Sequence, residues 1–158
     1  MKELSLFTDG SVSSLSHGYG AYLAVSELGM SLDLLRTRVK VVRFEQTSSS
    51  KLELQTLIWA LSDIQPSAGK VTVYTDSQNI IGLPGRRDRL EKNDYHSKKN
   101  LRLNNYQLYQ EFYRTTDLLD CMFVKVRGHQ PSKKKDDIDR FFTLVDRAAR
   151  QAMREDSR

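Results

Sequence analysis

The alternation of hydrophobic and polar positions changes period along the chain, and each change marks an element. Leu4 to Asp9 is an apolar run ending in Thr-Asp, and Val71 to Asp76 repeats the device. Both runs predict strands, with each aspartate at a strand's carboxyl end. Gly18 to Val25 (GYGAYLAV) predicts another strand, whose small residues on one side would let a second element approach closely. Within Thr37 to Glu45, Val39, Val41 and Arg43 alternate with Lys40, Val42 and Phe44, which predicts a third strand. The segment joining it to the second has no readable period. The pattern then turns helical: Ser48 to Ser50 offer N-caps, Leu54, Leu57, Ile58 and Leu61 recur at helical spacing, and Pro66 ends the helix.

After the Val71 to Thr75 strand, Asp76-Ser77-Gln78 opens a short helical turn expected to end by Gly82 or Pro84, followed by a basic loop. A longer helix is predicted from about Asn100 to Asp117, where Tyr106, Tyr109 and Tyr113 lie at i, i+3 and i+7. That spacing favours a packed face over base stacking. Cys121 to Val126 predicts a fifth strand. A final helix, Asp136 to Arg154, would bury Ile138, Phe141, Phe142, Val145, Ala149 and Met153. Three strands in succession favour an antiparallel meander, and the later strand-helix-strand order implies right-handed crossovers. The predicted class is α/β, a mixed five-stranded sheet with helices on both faces. Spacing does not give the strand order.

Composition narrows the setting. The 158 residues, 39% hydrophobic and undivided by any Pro/Gly/Ser-rich stretch, predict a single domain over 1–158. The N-terminus lacks an apolar stretch of signal-peptide length, and nothing approaches the roughly 20 apolar residues of a membrane span. A soluble, cytoplasmic, monomeric protein is expected, with no membrane partner. Cys121, the sole cysteine, sits among Leu118, Leu119, Met122 and Phe123, which predicts a buried structural thiol and excludes an internal disulfide or a multi-cysteine zinc site.

The net charge of +5 is focused. Arg86 to Arg102 holds seven basic residues against three acids, and Lys125 to Lys135 holds five against none. Those segments carry +9, so the rest of the chain is mildly acidic. Such focusing suggests a polyanionic partner, although a charge run is also compatible with a merely solvated face.

The candidate chemistry lies in the carboxylates. If the two Thr-Asp strands are neighbours, Asp9 and Asp76 converge with no opposing base, an arrangement most readily relieved by a divalent cation. Glu53 falls in the first turn of its helix at the edge of the apolar stripe, where the macrodipole alone could account for it. Asp146 sits mid-helix beside Val145 and Ala149, a position that propensity does not favour and where it has no cap to make.

Taken in order, TDGS at Asp9, KLELQTLIWAL at Glu53, YTDSQ at Asp76, VRGHQ at His129 and VDRAARQA at Asp146 resemble the type 1 ribonuclease H family. The resemblance covers nearly the whole chain. It implies the ribonuclease H-like fold, with three antiparallel and two parallel strands, and hydrolysis of the RNA strand of RNA/DNA hybrids to 5′-phosphate and 3′-hydroxyl ends. It also implies that Asp9, Glu53, Asp76 and Asp146 hold two Mg²⁺ or Mn²⁺ about 4 Å apart. Asp9 would bridge the ions, Glu53 and Asp76 would complete one side, and Asp146 the other. His129 matches the family's mobile-loop histidine, implying proton transfer or help in product release. His17 and His96 match nothing and are expected to face solvent.

For hybrid recognition, the resemblance points to Ser49, Ser50 and Gln78. The serines stand where the family commonly has asparagines, and N-capping would equally account for them. Gln78 matches the groove-reading glutamine. Arg86, Arg87, Lys98 and Lys99 fall in a basic protrusion near 84–102 that corresponds to the family's hybrid-gripping segment. Three departures stand out. The 17 positions from His129 to Asp146 exceed the common bacterial spacing and include Asp139, an alternative fourth ligand. The Asp9 to Gly18 loop lacks a glycine-rich lead. No separate hybrid-binding domain is expected within these residues. A catalytically silent nucleic-acid-binding domain, or a nuclease of the wider superfamily with another substrate, are the competing readings.

Overall fold

The computed structural model describes residues 2–27, 29–127 and 136–156. The elements run β1 (Lys2–Val12), β2 (Gly18–Val25), α1 (Leu32–Arg36), β3 (Lys40–Phe44), α2 (Ser49–Ile64), β4 (Ala68–Thr75), α3 (Gln78–Lys92), α4 (Tyr106–Asp117), β5 (Asp120–Lys125) and α5 (Asp137–Asp156). The five strands lie in the order β3-β2-β1-β4-β5, with β1–β2 and β2–β3 antiparallel and β1–β4 and β4–β5 parallel. The expected mixed α/β sheet is therefore present, and β1 is its central strand.

Strand alternation divides the core between the two faces of the sheet. Leu6 and Val73 point into a cluster with Leu57, Leu61 and Phe112, beneath α2 and α4. Phe7 points the opposite way, into a cluster with Leu23, Phe141, Val145 and Ala149, beneath α5. Asp9 shares the parity of Phe7 and so belongs to the α5 face. Tyr113 is buried, and Tyr106 and Tyr109 are partly buried against the α2-side cluster, as the tyrosine spacing predicts.

The small residues of β2 do what their pattern implied. A Cβ on Gly20 would lie 2.1 Å from Thr56 Oγ1, and one on Gly18 would lie 2.8 Å from Leu52 Cδ2. Side chains there would push α2 away from the sheet, and Glu53 with it.

Three expectations require correction. The helical turn after Asp76 does not end at Pro84: α3 continues through Gly82, Pro84 and Gly85 to Lys92. Proline removes one backbone donor, but burial of Ile80, Leu83 and Leu90 holds the helix down. One outside tie helps, Tyr113 Oη donating to the Leu83 carbonyl at 2.7 Å, and within the helix Arg86 donates to the Asn79 carbonyl at 3.0 Å. Much of the basic stretch is therefore helical rather than loop, whereas the following helix begins only at Tyr106. β1 also runs three residues past Asp9 to Val12, pairing Asp9 with Ala21 of β2, so Asp9 lies within a strand rather than at its end. Finally, His17 does not face solvent. Its side chain is 12% exposed, with Nε2 2.9 Å from Asp156 Oδ2 and Nδ1 3.0 Å from Ser13 Oγ. It ties the β1–β2 turn to the end of α5. His96 is half-buried, its Nδ1 donating to the Asp94 carbonyl at 2.8 Å.

Cys121 is half-buried against the α2-side cluster, and burial pushes its thiol up to about 11. Such a thiol is unreactive at neutral pH. No described helix is long and apolar enough to cross a membrane.

Candidate active site

Four carboxylates reach one cleft from four elements. β1 and β4 pair in parallel through Phe7 and Tyr74. Continuing that register sets Asp9 level with Asp76, which lies just beyond the end of β4. Glu53 is the fifth residue of α2, one position past the first turn in which the sequence pattern set it, and Asp146 comes from the middle of α5. All four line a cleft of about 610 Å³, joined by Ser49, Asp139, Arg127, Arg147 and Arg150.

Ser77 fixes one end of this row. As the N-cap of α3, its Oγ accepts from the Ile80 amide at 3.2 Å while its hydroxyl donates to Glu53 Oε2. One side chain thus starts a helix and orients a carboxylate on another. Arg150 fixes the other end, its Nε standing 3.1 Å from Asp146 Oδ1 one helical turn away.

The electrostatics follow from this crowding. Burial, then the neighbouring charge of Asp76, then a hydrogen bond from the Asp9 carboxyl to Asp146 push Asp9 up to about 8, against a smaller opposing contribution from the Gly10 amide. Glu53 is also raised, by burial first and by the charge of Asp76, while the Ser77 hydroxyl pulls it down. The order along the cleft is thus Asp146, Asp9, Asp76, Glu53, with Asp9 interacting on both sides.

Hard oxygen donors fit a hard divalent cation. Among the described residues no three carboxylate, imidazole or thiol groups already stand at metal-ligating spacing; the acids are arranged as successive pairs. The donor chemistry fits nonetheless, because the burial and crowding that push Asp9 up are what a bound cation would relieve.

Asp139 lines the cleft, but its groups are engaged at the start of α5. Its amide donates to Asp136 Oδ1 at 2.9 Å, and its Oδ2 accepts from the Asp136 amide at 3.4 Å. Asp146 is the acid that reaches Asp9. His129 lies outside the described residues, as do Lys133, Lys134 and Lys135.

The remaining sequence candidates scatter. Ser49 lines the cleft, while Ser50 is exposed in the first turn of α2 and Ser48 is the N-cap. Gln78 opens α3, and its Oε1 accepts from Lys125 Nζ at 2.8 Å. Arg86 and Lys98 line a separate cavity of about 580 Å³ with Arg89 and His96. Arg87 faces elsewhere, paired twice with Asp117 at 2.6 and 2.8 Å and lying over the Tyr113 ring. Lys99 is exposed in the loop before α4. Sequence reasoning gave no role to Ser77, Lys125 or Arg150. The four-residue spacing of Asp146 and Arg150 could have revealed that pair; the other contacts join residues distant in sequence.

The RNase H family model matches residues 1–154, and the chain belongs to that family. A ribonuclease H from Acetivibrio thermocellus is 26% identical over 146 residues, covering 90% of this chain and 94% of its own. Among solved structures, the PFV RNase H domain superposes with a TM-score of 0.74 at 16% identity, covering 94% of this chain and 92% of the other. A foamy viral protease-reverse transcriptase in complex with RNA/DNA hybrid gives 0.72 at 13% identity, over 94% of this chain and 19% of that one. At those identities the structural likeness establishes the fold.

Proposed function

We propose that this protein is an endoribonuclease that hydrolyses the RNA strand of RNA/DNA hybrids, leaving 5′-phosphate and 3′-hydroxyl ends. The observation that carries the reading is the convergence of Asp9, Glu53, Asp76 and Asp146 on one cleft, in a chain of the RNase H family. Asp9, interacting with acids on both sides, would serve two cation positions. Glu53 and Asp76 would complete one position and Asp146 the other. Two divalent ions, Mg²⁺ or Mn²⁺, would activate the attacking water and stabilise the leaving 3′ oxygen.

The chain's own residues prepare that site. Ser77 holds Glu53 toward the cleft, and Arg150 pairs with one oxygen of Asp146. Arg127, Arg147 and Arg150 add positive charge at the α5 side of the cleft, where a phosphodiester would lie. Ser49 and Gln78 stand at helix starts suited to the nucleic-acid backbone and groove, while Arg86 and Lys98 extend the basic surface. His129 is proposed to assist proton transfer or product release.

The test is cleavage of a strand-labelled RNA/DNA hybrid across a Mg²⁺ and Mn²⁺ titration, with duplex DNA, duplex RNA and a junction as parallel substrates. RNA-strand cleavage of the hybrid alone, abolished by Asp76→Asn, is the expected result. Tight hybrid binding with no turnover at any metal concentration would instead identify a silent binding domain. Cleavage confined to another substrate would identify a different nuclease.

A further inference from the structure

Lys125 and Gln78 make a contact that the carboxylate chemistry does not use. Lys125 is the last residue of β5 and pairs in register with Thr75, the last residue of β4. It therefore stands beside the point where the chain passes through Asp76 and Ser77 into α3. Gln78 is the first residue of that helix, and its Oε1 accepts from Lys125 Nζ at 2.8 Å. Both residues are exposed on the rim of the strand ends.

The chemistry of this pair sets a direction. A glutamine amide has a carbonyl acceptor and an NH₂ donor, whereas an ammonium can only donate. Lys125 therefore selects one of the two amide orientations: Oε1 turns toward β5 and the NH₂ is left to donate elsewhere. An unheld glutamine at a helix start would sample both orientations and several rotamers. The acceptors common to every base pair are in the minor groove, purine N3 and pyrimidine O2. A fixed NH₂ donor matches any sequence there, and an A-form-like duplex presents that groove as wide and shallow.

We propose that Lys125 is a positioning residue that holds Gln78 as a hydrogen-bond donor to minor-groove acceptors, making groove reading indifferent to sequence. The inference rests on the hybrid-nuclease reading. A direct phosphate contact by the Lys125 ammonium is the rival role, and the two differ in coupling and in salt dependence.

The experiment compares wild type, Lys125→Met, Lys125→Arg, Gln78→Ala and the double variant Lys125→Met/Gln78→Ala on hybrids of two unrelated sequences. It is paired with nuclear magnetic resonance of the Gln78 side-chain NH₂ in the free protein. Lys125→Met should raise KM about fivefold with kcat within about twofold, and Lys125→Arg should restore it. Gln78→Ala should raise KM by a similar factor, and the double variant should be no worse than either single one. The Gln78 NH₂ signals should move in Lys125→Met and return in Lys125→Arg. Multiplying losses in the double variant, together with a salt slope smaller by about one, would establish the phosphate contact and overturn the positioning role. An unchanged KM or unmoved NH₂ signals in Lys125→Met would overturn it as well. A wild type that neither binds nor cuts hybrid overturns the hybrid reading itself, an outcome distinct from a cutting wild type with an indifferent Lys125 variant.

Discussion

The carboxylates of the cleft occupy two neighbourhoods that differ in depth. Asp9 and Asp146 form the deeper one: both are half-buried, Asp9 within the central strand and opposite Ala21, Asp146 on the helix that covers that face of the sheet. Asp76 and Glu53 form the second, which is shallow at Asp76: that acid is exposed beyond the end of β4, whereas Glu53 is half-buried and steadied by the neutral Ser77 hydroxyl. The deep end has an adjacent cation, Arg150, yet burial still drives Asp9 up to about 8. Depth sets how strongly a carboxylate needs its charge countered, and here depth outweighs a guanidinium that reaches only the neighbouring acid.

Replacing one acid from each neighbourhood should separate their contributions. Asp9→Asn and Asp76→Asn should each lower hybrid cleavage by about 10³-fold or more, the loss of several kcal/mol of charge stabilisation. Their stabilities should diverge. Asp9 has a folded-state pKa of about 8, above its unfolded value near 4. The folded state therefore holds its proton to higher pH, and in chelator the stability of wild type should fall as pH rises from about 4 to about 8. Asp9→Asn should remove most of that slope, gaining roughly 5 kcal/mol over wild type at pH 8.5 and little at pH 4. Asp76→Asn should flatten the slope only in part, because it removes one of the causes that raise Asp9 and leaves the burial. Urea unfolding at the two pH values reads this directly, and equal slopes in wild type and Asp9→Asn would remove depth as the explanation.

Ser77→Ala probes the shallow end. It removes the N-cap acceptor for the Ile80 amide and the donor to Glu53 together. A loss of about 1–2 kcal/mol in unfolding free energy is expected. Without the hydroxyl that lowers it, Glu53 should titrate higher still. Hybrid cleavage should fall by about tenfold, within the range for residues that orient metal ligands, and the acid limb of its pH profile should move to higher pH. Ser77→Thr keeps the oxygen and should recover most of the stability. Full activity with an unmoved pH profile in Ser77→Ala would show that Glu53 needs no such support.

The difference between the neighbourhoods explains what could be read from sequence. Period and β-branching placed every strand and the long α2 and α5 helices, because those elements are dictated by which positions face the core. The four acids were legible because each stands in a short motif whose order matches a known family. Depth was not legible: LFTDG and VYTDS look alike, yet β2 extends the pairing of one strand past its aspartate and nothing comparable extends the other. Pro84 misled for a related reason, since α3 is held through it by the Tyr113 hydroxyl, 30 residues from Leu83, together with burial of its own Ile80, Leu83 and Leu90. His17 likewise needed Asp156, more than a hundred residues away. The choice between Asp139 and Asp146 was open in sequence; the hydrogen bond from Asp9 favours Asp146.

The Arg150–Asp146 pair gives the smallest effect and the most selective one. The Arg150 side chain is 52% exposed and Asp146 25%, so solvent screens their attraction and the pair should contribute less than about 1 kcal/mol to folding. Arg150→Ala should therefore leave unfolding nearly unchanged. Its effect should appear in cation binding instead, because the guanidinium and a divalent ion compete for the same carboxylate. Removing it should tighten Mn²⁺ at the Asp146 side by about two- to threefold, measured by calorimetry at low salt, and the gain should shrink as salt rises. Arg150→Lys should lie between wild type and alanine, keeping the charge while losing the planar geometry. Weaker Mn²⁺ binding in Arg150→Ala would reverse the assignment, making Arg150 a residue that holds Asp146 in place for the ion rather than one that competes with it.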